Sequence, residues 1–139
     1  MNREILFRAK KVDCDEWVYG YVIKRHGLWF LYDLENSDTC RQNIYEVRPD
    51  TICQYTGLTD KIGNKIFEGD IVRCGESCGE VKFGLHGNNW QINKYNQGFF
   101  IAFPKESLFS NELGYWIWIN KVVVDNVYDN PELLEEYNV

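Results

Sequence analysis

Along this chain apolar and polar residues alternate over short windows, and helical periodicity is nearly absent. Glu4 to Lys10 alternate in part, with Ile5, Phe7 and Ala9 on one face. Trp17 to Ile23 alternate cleanly: Trp17, Tyr19, Tyr21 and Ile23 face one way, and Val18, Gly20 and Val22 the other. Arg25-His26-Gly27 reads as a turn, after which Leu28 to Leu34 returns as the second strand of a hairpin. Glu35 to Asn43 is polar loop. Tyr45 to Arg48 and Thr51 to Tyr55 are short strands kept apart by Pro49-Asp50, and Thr56 to Lys65 is a turn-rich connection holding Gly57 and Gly63-Asn64.

Ile66-Phe67 leads through Glu68-Gly69-Asp70 into a strand over Ile71 to Cys74. The tight loop Gly75 to Gly79 precedes a strand over Glu80 to Phe83, and further strands are predicted at Trp90 to Asn93, Phe99 to Phe103, Tyr115 to Ile119 and Val122 to Val127. A short helix suits Lys105 to Phe109. Tyr115 to Ile119 is apolar on both faces, the mark of a buried central strand or an interface strand. At the end of the chain Asn130 suits an N-cap, Pro131 the first helical position and Glu132 the first turn, which predicts a short helix docked by Leu133 and Leu134. Short strands with turn signals at this spacing predict a mostly-β fold: an antiparallel, barrel-like domain with a short C-terminal helix. Strand lengths over residues 66–103 fit a small SH3-like section. At 139 residues, with no repeat and no long linker, the expectation is one domain over residues 1–139.

Composition narrows the class. A hydrophobic fraction of 45%, with 16% aromatic residues, is enough bulk to collapse into a core, so disorder is excluded. A net charge of −6 argues against a protein built mainly to neutralise nucleic-acid phosphates. No apolar run approaches the roughly 20 residues of a membrane helix. Met1-Asn2-Arg3-Glu4 runs straight into a strand pattern, so no signal peptide is expected. Five cysteines, Cys14, Cys40, Cys53, Cys74 and Cys78, are an odd number at irregular spacing, which favours thiols in a reducing cytoplasm over a disulfide scaffold.

Several constellations invite a chemical reading. Gly75-Glu76-Ser77-Cys78-Gly79 matches the G-x-S-x-G nucleophile elbow, but that motif needs a helix after the serine and a strand is predicted there. Cys74 and Cys78 could hold zinc or form a reversible disulfide, yet no second cysteine or histidine pair completes a tetrahedral site. His26 and His86 both fall in predicted turns outside any motif, and Asp13, Asp15 and Glu16 lack the rest of a calcium loop. The aromatic content suits base stacking, while Arg3, Arg8, Lys10 and Lys11 give only a local basic excess. Asp125, Asp129, Glu132, Glu135 and Glu136 make an acidic end, usually a solvated face. No catalytic, cofactor-binding or metal-ligating residue is assigned, and no cofactor is expected.

Four stretches carry a family resemblance: Ile5-Leu6-Phe7-Arg8-Ala9 with Trp17-Val18-Tyr19-Gly20; Gln54-Tyr55-Thr56-Gly57-Leu58-Thr59-Asp60-Lys61; Ile66-Phe67-Glu68-Gly69-Asp70-Ile71-Val72; and Val127-Tyr128-Asp129-Asn130-Pro131-Glu132-Leu133-Leu134. Together they resemble the YopX-like family, proteins encoded by bacteriophages and prophages. One departure is Asp125 before Asn126, where the family tends to have glycine. The resemblance implies a mostly-β fold and a phage or prophage origin, hence the cytoplasm of a bacterial host, and carries no established activity. The first expectation is a non-enzymatic accessory protein that binds a host or phage protein, with abundant aromatics suited to interfaces. Edge strands and a two-faced strand also favour a homo-oligomer. The alternatives are a small barrel binding single-stranded nucleic acid, which the net charge disfavours, and a thiol or zinc protein using Cys74 and Cys78.

Overall fold

The computed structural model describes residues 4–37, 43–74, 77–87, 95–102 and 122–137. The chain divides into two compact units, Met1–Gly57 and Leu58–Val139. The expected strand at Trp90 to Asn93, the helix at Lys105 to Phe109 and the strand at Tyr115 to Ile119 lie outside the described residues. No helix among the described residues is long and apolar enough to cross a membrane.

The first unit is a curled antiparallel sheet. Its strands are β1 (Phe7–Lys10), β2 (Trp17–Arg25), β3 (Leu28–Asp33), β4 (Asn43–Glu46) and the start of β5 (Cys53–Thr59), in the order β4-β3-β2-β1-β5. The β2–β3 hairpin turns on two residues with positive φ, His26 at 53° and Gly27 at 79°, the combination a type I′ turn requires. Alternation sends Ala9, Val18, Leu31 and Val47 to one face, where they form the core with Val22, Trp29, Tyr45 and Ile52. The sheet bends until its ends meet: Lys11 bridges Val47, the Arg48 N–H donates to the Lys10 carbonyl at 2.9 Å, and the Val12 N–H to the Glu46 carbonyl at 3.1 Å. Pro49-Asp50 interrupts the ladder as the sequence predicts, in a 3-10 turn over Pro49–Thr51. Thr51 makes that turn useful, because its hydroxyl accepts the Lys10 N–H at 2.9 Å and donates to the Arg48 carbonyl at 2.7 Å.

Two expectations for this unit are corrected. Ile5 does not share the core face with Ala9 but is exposed. The turn-rich connection at Thr56 to Lys65 is shorter than expected, because β5 continues to Thr59 and only Asp60 to Asn64 turns.

The second unit holds the end of β5 with β6 (Lys65–Phe67) beside it, and then β7 (Asp70–Cys74), β8 (Ser77–Gly87), β9 (Tyr95–Ala102) and β10 (Val122–Asn126). The last four form an antiparallel sheet in the order β10-β7-β8-β9. The section expected to be SH3-like is thus a curved meander with β10 added beside β7, and no barrel closes among the described residues. Glu68-Gly69 makes the turn between β6 and β7. Gly69 has a φ of 87°, which suits the third position of a type II turn, and the Phe67 N–H is held by the Asp70 carboxylate at 2.8 Å. The Gly69 peptide also ties neighbours together: its N–H donates to Val81, and its carbonyl accepts from Val127.

The chain closes with α1 (Glu132–Tyr137), which packs against β8 with Leu133 and Leu134 half-buried. Asn130 caps it differently from the expectation. Its carbonyl accepts the Leu133 N–H at 3.2 Å, while its side-chain amide donates to the Asp125 carboxylate. The other oxygen of Asp125 accepts the Asn126 N–H at 2.8 Å, so the aspartate standing where the family tends to have glycine brackets the turn by hydrogen bonding.

Two substitutions test this account. A Cβ at Gly20 would lie 1.8 Å from the Tyr32 carbonyl oxygen, so Gly20→Ala must push β2 and β3 apart and should cost about 2 kcal/mol in chemical denaturation. At His26 the left-handed backbone governs: His26→Asn should be neutral or slightly stabilising, and His26→Ile should cost about 1 kcal/mol, read by thermal melting.

Candidate functional site

Several of the described polar residues are engaged in holding turns. Asp60 is the clearest case. Its carboxylate accepts the Asn64 N–H at 2.8 Å, the Ile62 N–H at 3.0 Å, the Asn64 amide at 3.2 Å and, across the sequence, the Val123 N–H at 3.0 Å. Burial alone would push this carboxyl up, but the N–H donors of Val123, Asn64 and Ile62 together with the Asn64 side chain outweigh it, and the group ionises below its usual range. Asn126 does similar work: its carbonyl oxygen accepts the N–H groups of Tyr128 and Asp129, and its amide donates to Asp129, each at 3.0 Å. The Thr-Gly-Leu-Thr-Asp and Glu-Gly-Asp-Ile-Val segments are therefore parts of the frame.

The structure keeps the predicted chemical groups apart. Gly75 and Glu76 of the elbow-like motif lie outside the described residues, while Ser77, Cys78 and Gly79 sit inside β8, which runs on as a strand to Gly87 with no helix following. Cys78 stands opposite Arg73 and Cys74 opposite Ser77, so the two cysteines are not a cross-strand pair. Cys78 is fully buried, and that burial pushes its thiol up against the opposing pull of Arg73, which keeps it protonated. Cys53 is a buried thiol donating to the Thr51 carbonyl, and Cys14 is exposed. His26 occupies the hairpin turn; the backbone of His86 lies within β8, opposite Asn96. Asp15 pairs with Arg48 at 2.7 Å and Glu16 with Lys11 at 3.3 Å. No group of three His, Cys, Asp or Glu side chains suited to a metal occurs among the described residues.

The basic excess near the N-terminus is also rearranged. Arg8 and Lys10 lie on one side of β1, each only 6% exposed, and both stack on Trp17: the Arg8 guanidinium carbon is 4.7 Å and the Lys10 ammonium 5.4 Å from the ring centre. Lys11 lies 4.0 Å over the Tyr45 ring. Arg3 is outside the described residues. The described cations of this stretch are thus committed to ring faces or to Glu16, and they do not line an open groove.

The first unit also leaves a set of apolar side chains open to solvent. The sheet face opposite the first unit's core carries Tyr19, Tyr21 and Ile23 from β2, Leu28, Phe30 and Tyr32 from β3, and Ile44 from β4. The ladder registers Tyr21 with Tyr32 and Ile44, and Ile23 with Phe30. Tyr19, Tyr21, Ile23, Leu28 and Ile44 are each between 41% and 49% exposed, so this is a continuous patch rather than scattered side chains. The alternation in Trp17 to Ile23 carried the signal, since both of its faces are apolar. Which face would be buried was not written in it. Phe83, exposed and edge-to-face with Phe99 at 5.0 Å, is a smaller apolar feature of the second unit.

Comparison with known proteins agrees with this frame. The family described as "YopX protein" matches residues 6–135. No curated protein matches the chain. Among solved structures, the crystal structure of protein EF1440 from Enterococcus faecalis is similar with a TM-score of 0.53 and 22% identity, over 96% of this chain and 99% of that one. At that identity the likeness concerns the fold alone.

The Asp60 hub has a pH signature. Its folded carboxyl ionises below the ordinary value of 3.8, so its contribution is complete above that value and is lost as pH falls through the folded one. Asp60→Asn should cost about 2 kcal/mol near neutral pH, because one carboxylate oxygen is exchanged for a donor that faces other donors. The same variant should flatten the acid limb of stability below about pH 4, measured by urea unfolding across a pH series.

Proposed function

The chain belongs to the YopX protein family, and we propose that it is a non-enzymatic protein-binding module working through the outer face of β2, β3 and β4. The observation that supports this reading is the patch of Tyr19, Tyr21, Ile23, Leu28 and Ile44, which folding within the chain leaves open. An exposed apolar face of aromatic and aliphatic side chains suits the dry centre of a protein interface. The aliphatic members give nucleobases nothing to stack on, and Arg8 and Lys10, which would have served a phosphate backbone, are withdrawn onto Trp17. Among the described residues Asp60 and Asp70 hold turns, and Cys53 and Cys78 lie buried. The partner is a protein of the phage or of its bacterial host, a copy of the chain included.

Site-specific photo-crosslinking tests this directly. A photoreactive phenylalanine analogue at Tyr21 or Ile44 should give discrete, nuclease-resistant protein adducts in host cells carrying the phage or prophage. The same analogue at exposed Lys61 should not. Adducts that vanish on nuclease treatment, or no adduct at either face position, would overturn the reading.

A further inference from the structure

The outer face of the first unit carries its own complement. Alternation along β2 brings Arg25 to the same face as Tyr21 and Ile23, and alternation along β4 brings Glu46 to the same face as Ile44. The ladder sets Arg25 beside Leu28 and Glu46 beside Phe30, so the two charges stand on opposite edges of the apolar patch, both at its hairpin end, two strand spacings across and two residues along from each other. Both are exposed. Neither side chain has a hydrogen-bond or ion-pair partner among the described residues, whereas the neighbouring Lys11, Asp15, Glu16 and Arg48 are all paired. A cation and an anion left unpaired on opposite edges of one apolar face are what a self-complementary surface needs.

Charge distribution removes the usual obstacle. Residues Met1–Gly57 hold eight of the 15 Lys and Arg residues and nine of the 21 Asp and Glu residues, so this unit is close to neutral and the acidity of the chain belongs mainly to the other. Two copies of the face can approach with little net repulsion.

Building on the protein-binding reading above, we propose that the occupant of this face is a second copy of the chain, packed sheet to sheet about a two-fold axis that lies parallel to the sheet and runs along β3. Such an axis exchanges the two edges, laying β2 of each chain over β4 of the partner subunit with Arg25 and Glu46 two residues apart along the strands, a gap their side chains span. Arg25 of each chain meets Glu46 of the partner subunit, giving two equivalent ion pairs at the rim, with Tyr21, Ile23, Phe30, Tyr32 and Ile44 closing the centre. The arrangement is an aligned packing of two sheets, and it closes after two subunits because the contact is isologous. The aromatic and aliphatic centre supplies affinity, and the charge pairs supply register.

Sedimentation velocity on the full chain over a wide concentration range tests the proposal, with a charge exchange as its decisive arm. The wild type should sediment as a dimer. Arg25→Glu alone or Glu46→Arg alone places like charges against each other and should weaken the dimer by about tenfold or more. The double variant Arg25→Glu/Glu46→Arg restores opposite charges across the axis and should recover wild-type association. Both positions are exposed and unpaired within the chain, so thermal melts of the three variants should match the wild type at low concentration. A wild type that stays monomeric throughout, or a double variant no better than either single one, would overturn the proposal. A monomeric chain that still crosslinks a different protein through Tyr21 would sink the self-pairing and leave the protein-binding reading standing. The absence of any protein adduct would sink both.

Discussion

A protein made of short strands joined by tight turns has more backbone donors at its turns than the ladders can satisfy, and burying those turns is tolerable only where side chains accept the hydrogen bonds. That constraint governs both units. Thr51 takes up the Lys10 N–H where the first sheet bends back on itself. Asp70 takes up the Phe67 N–H at the turn between β6 and β7. Asn126 takes up two N–H groups after β10, and Asp60 takes up three, one of them 63 residues away. Buried polar groups of this kind contribute little when satisfied and cost much when broken, so they act as locks on the arrangement rather than as the source of its stability. Two of the family stretches hold such a lock, Asp60 in one and Asp70 in the other.

The driving force comes from the sheets themselves. In the first unit one face of the β1–β4 sheet is filled by Ala9, Val18, Leu31 and Val47, with Trp29 and Tyr45 spread against them. Gly20 permits the close approach of β2 and β3 that the bend demands, since any Cβ there would strike the Tyr32 carbonyl. Filling one face of the sheet with this small core leaves apolar side chains of the other face exposed across β2, β3 and β4 among the described residues. The exposed Tyr19, Tyr21, Ile23, Leu28 and Ile44 are thus a consequence of the same geometry that buries Leu31.

Electrostatics sharpen the functional reading. An acidic chain rich in aromatic residues has two uses for its few cations: an open phosphate-binding track, or internal pairing. Most of the described cations of the first unit take the second. Arg8 and Lys10 lie over Trp17, Lys11 over Tyr45 and beside Glu16, Lys24 over Trp29, and Arg48 against Asp15. Arg25 is left exposed at the rim of an apolar face, with Glu46 on its opposite edge. This division of charge is what supports the proposed protein-facing reading over a base-stacking one.

The sequence by itself determined what depends on neighbours in the chain. The alternation of β2, the His26-Gly27 hairpin turn, the break at Pro49-Asp50, the Glu68-Gly69-Asp70 turn and the short helix after Pro131 all follow from local periodicity and turn chemistry. So does the class of the fold, because several short alternating segments can only bury their apolar faces in sheets. The tertiary structure alone decided which of two apolar faces of β2 is buried, because alternation fixes that there are two sides and the register of β1 and β3 selects between them. It alone set Cys74 and Cys78 against different partners, since a loop's spacing does not specify the ladder register. It alone drew Arg8 and Lys10 onto Trp17 and brought Val123 to Asp60. Each of these is a contact between segments distant in the chain, and the free energy that selects it belongs to packing rather than to any local preference.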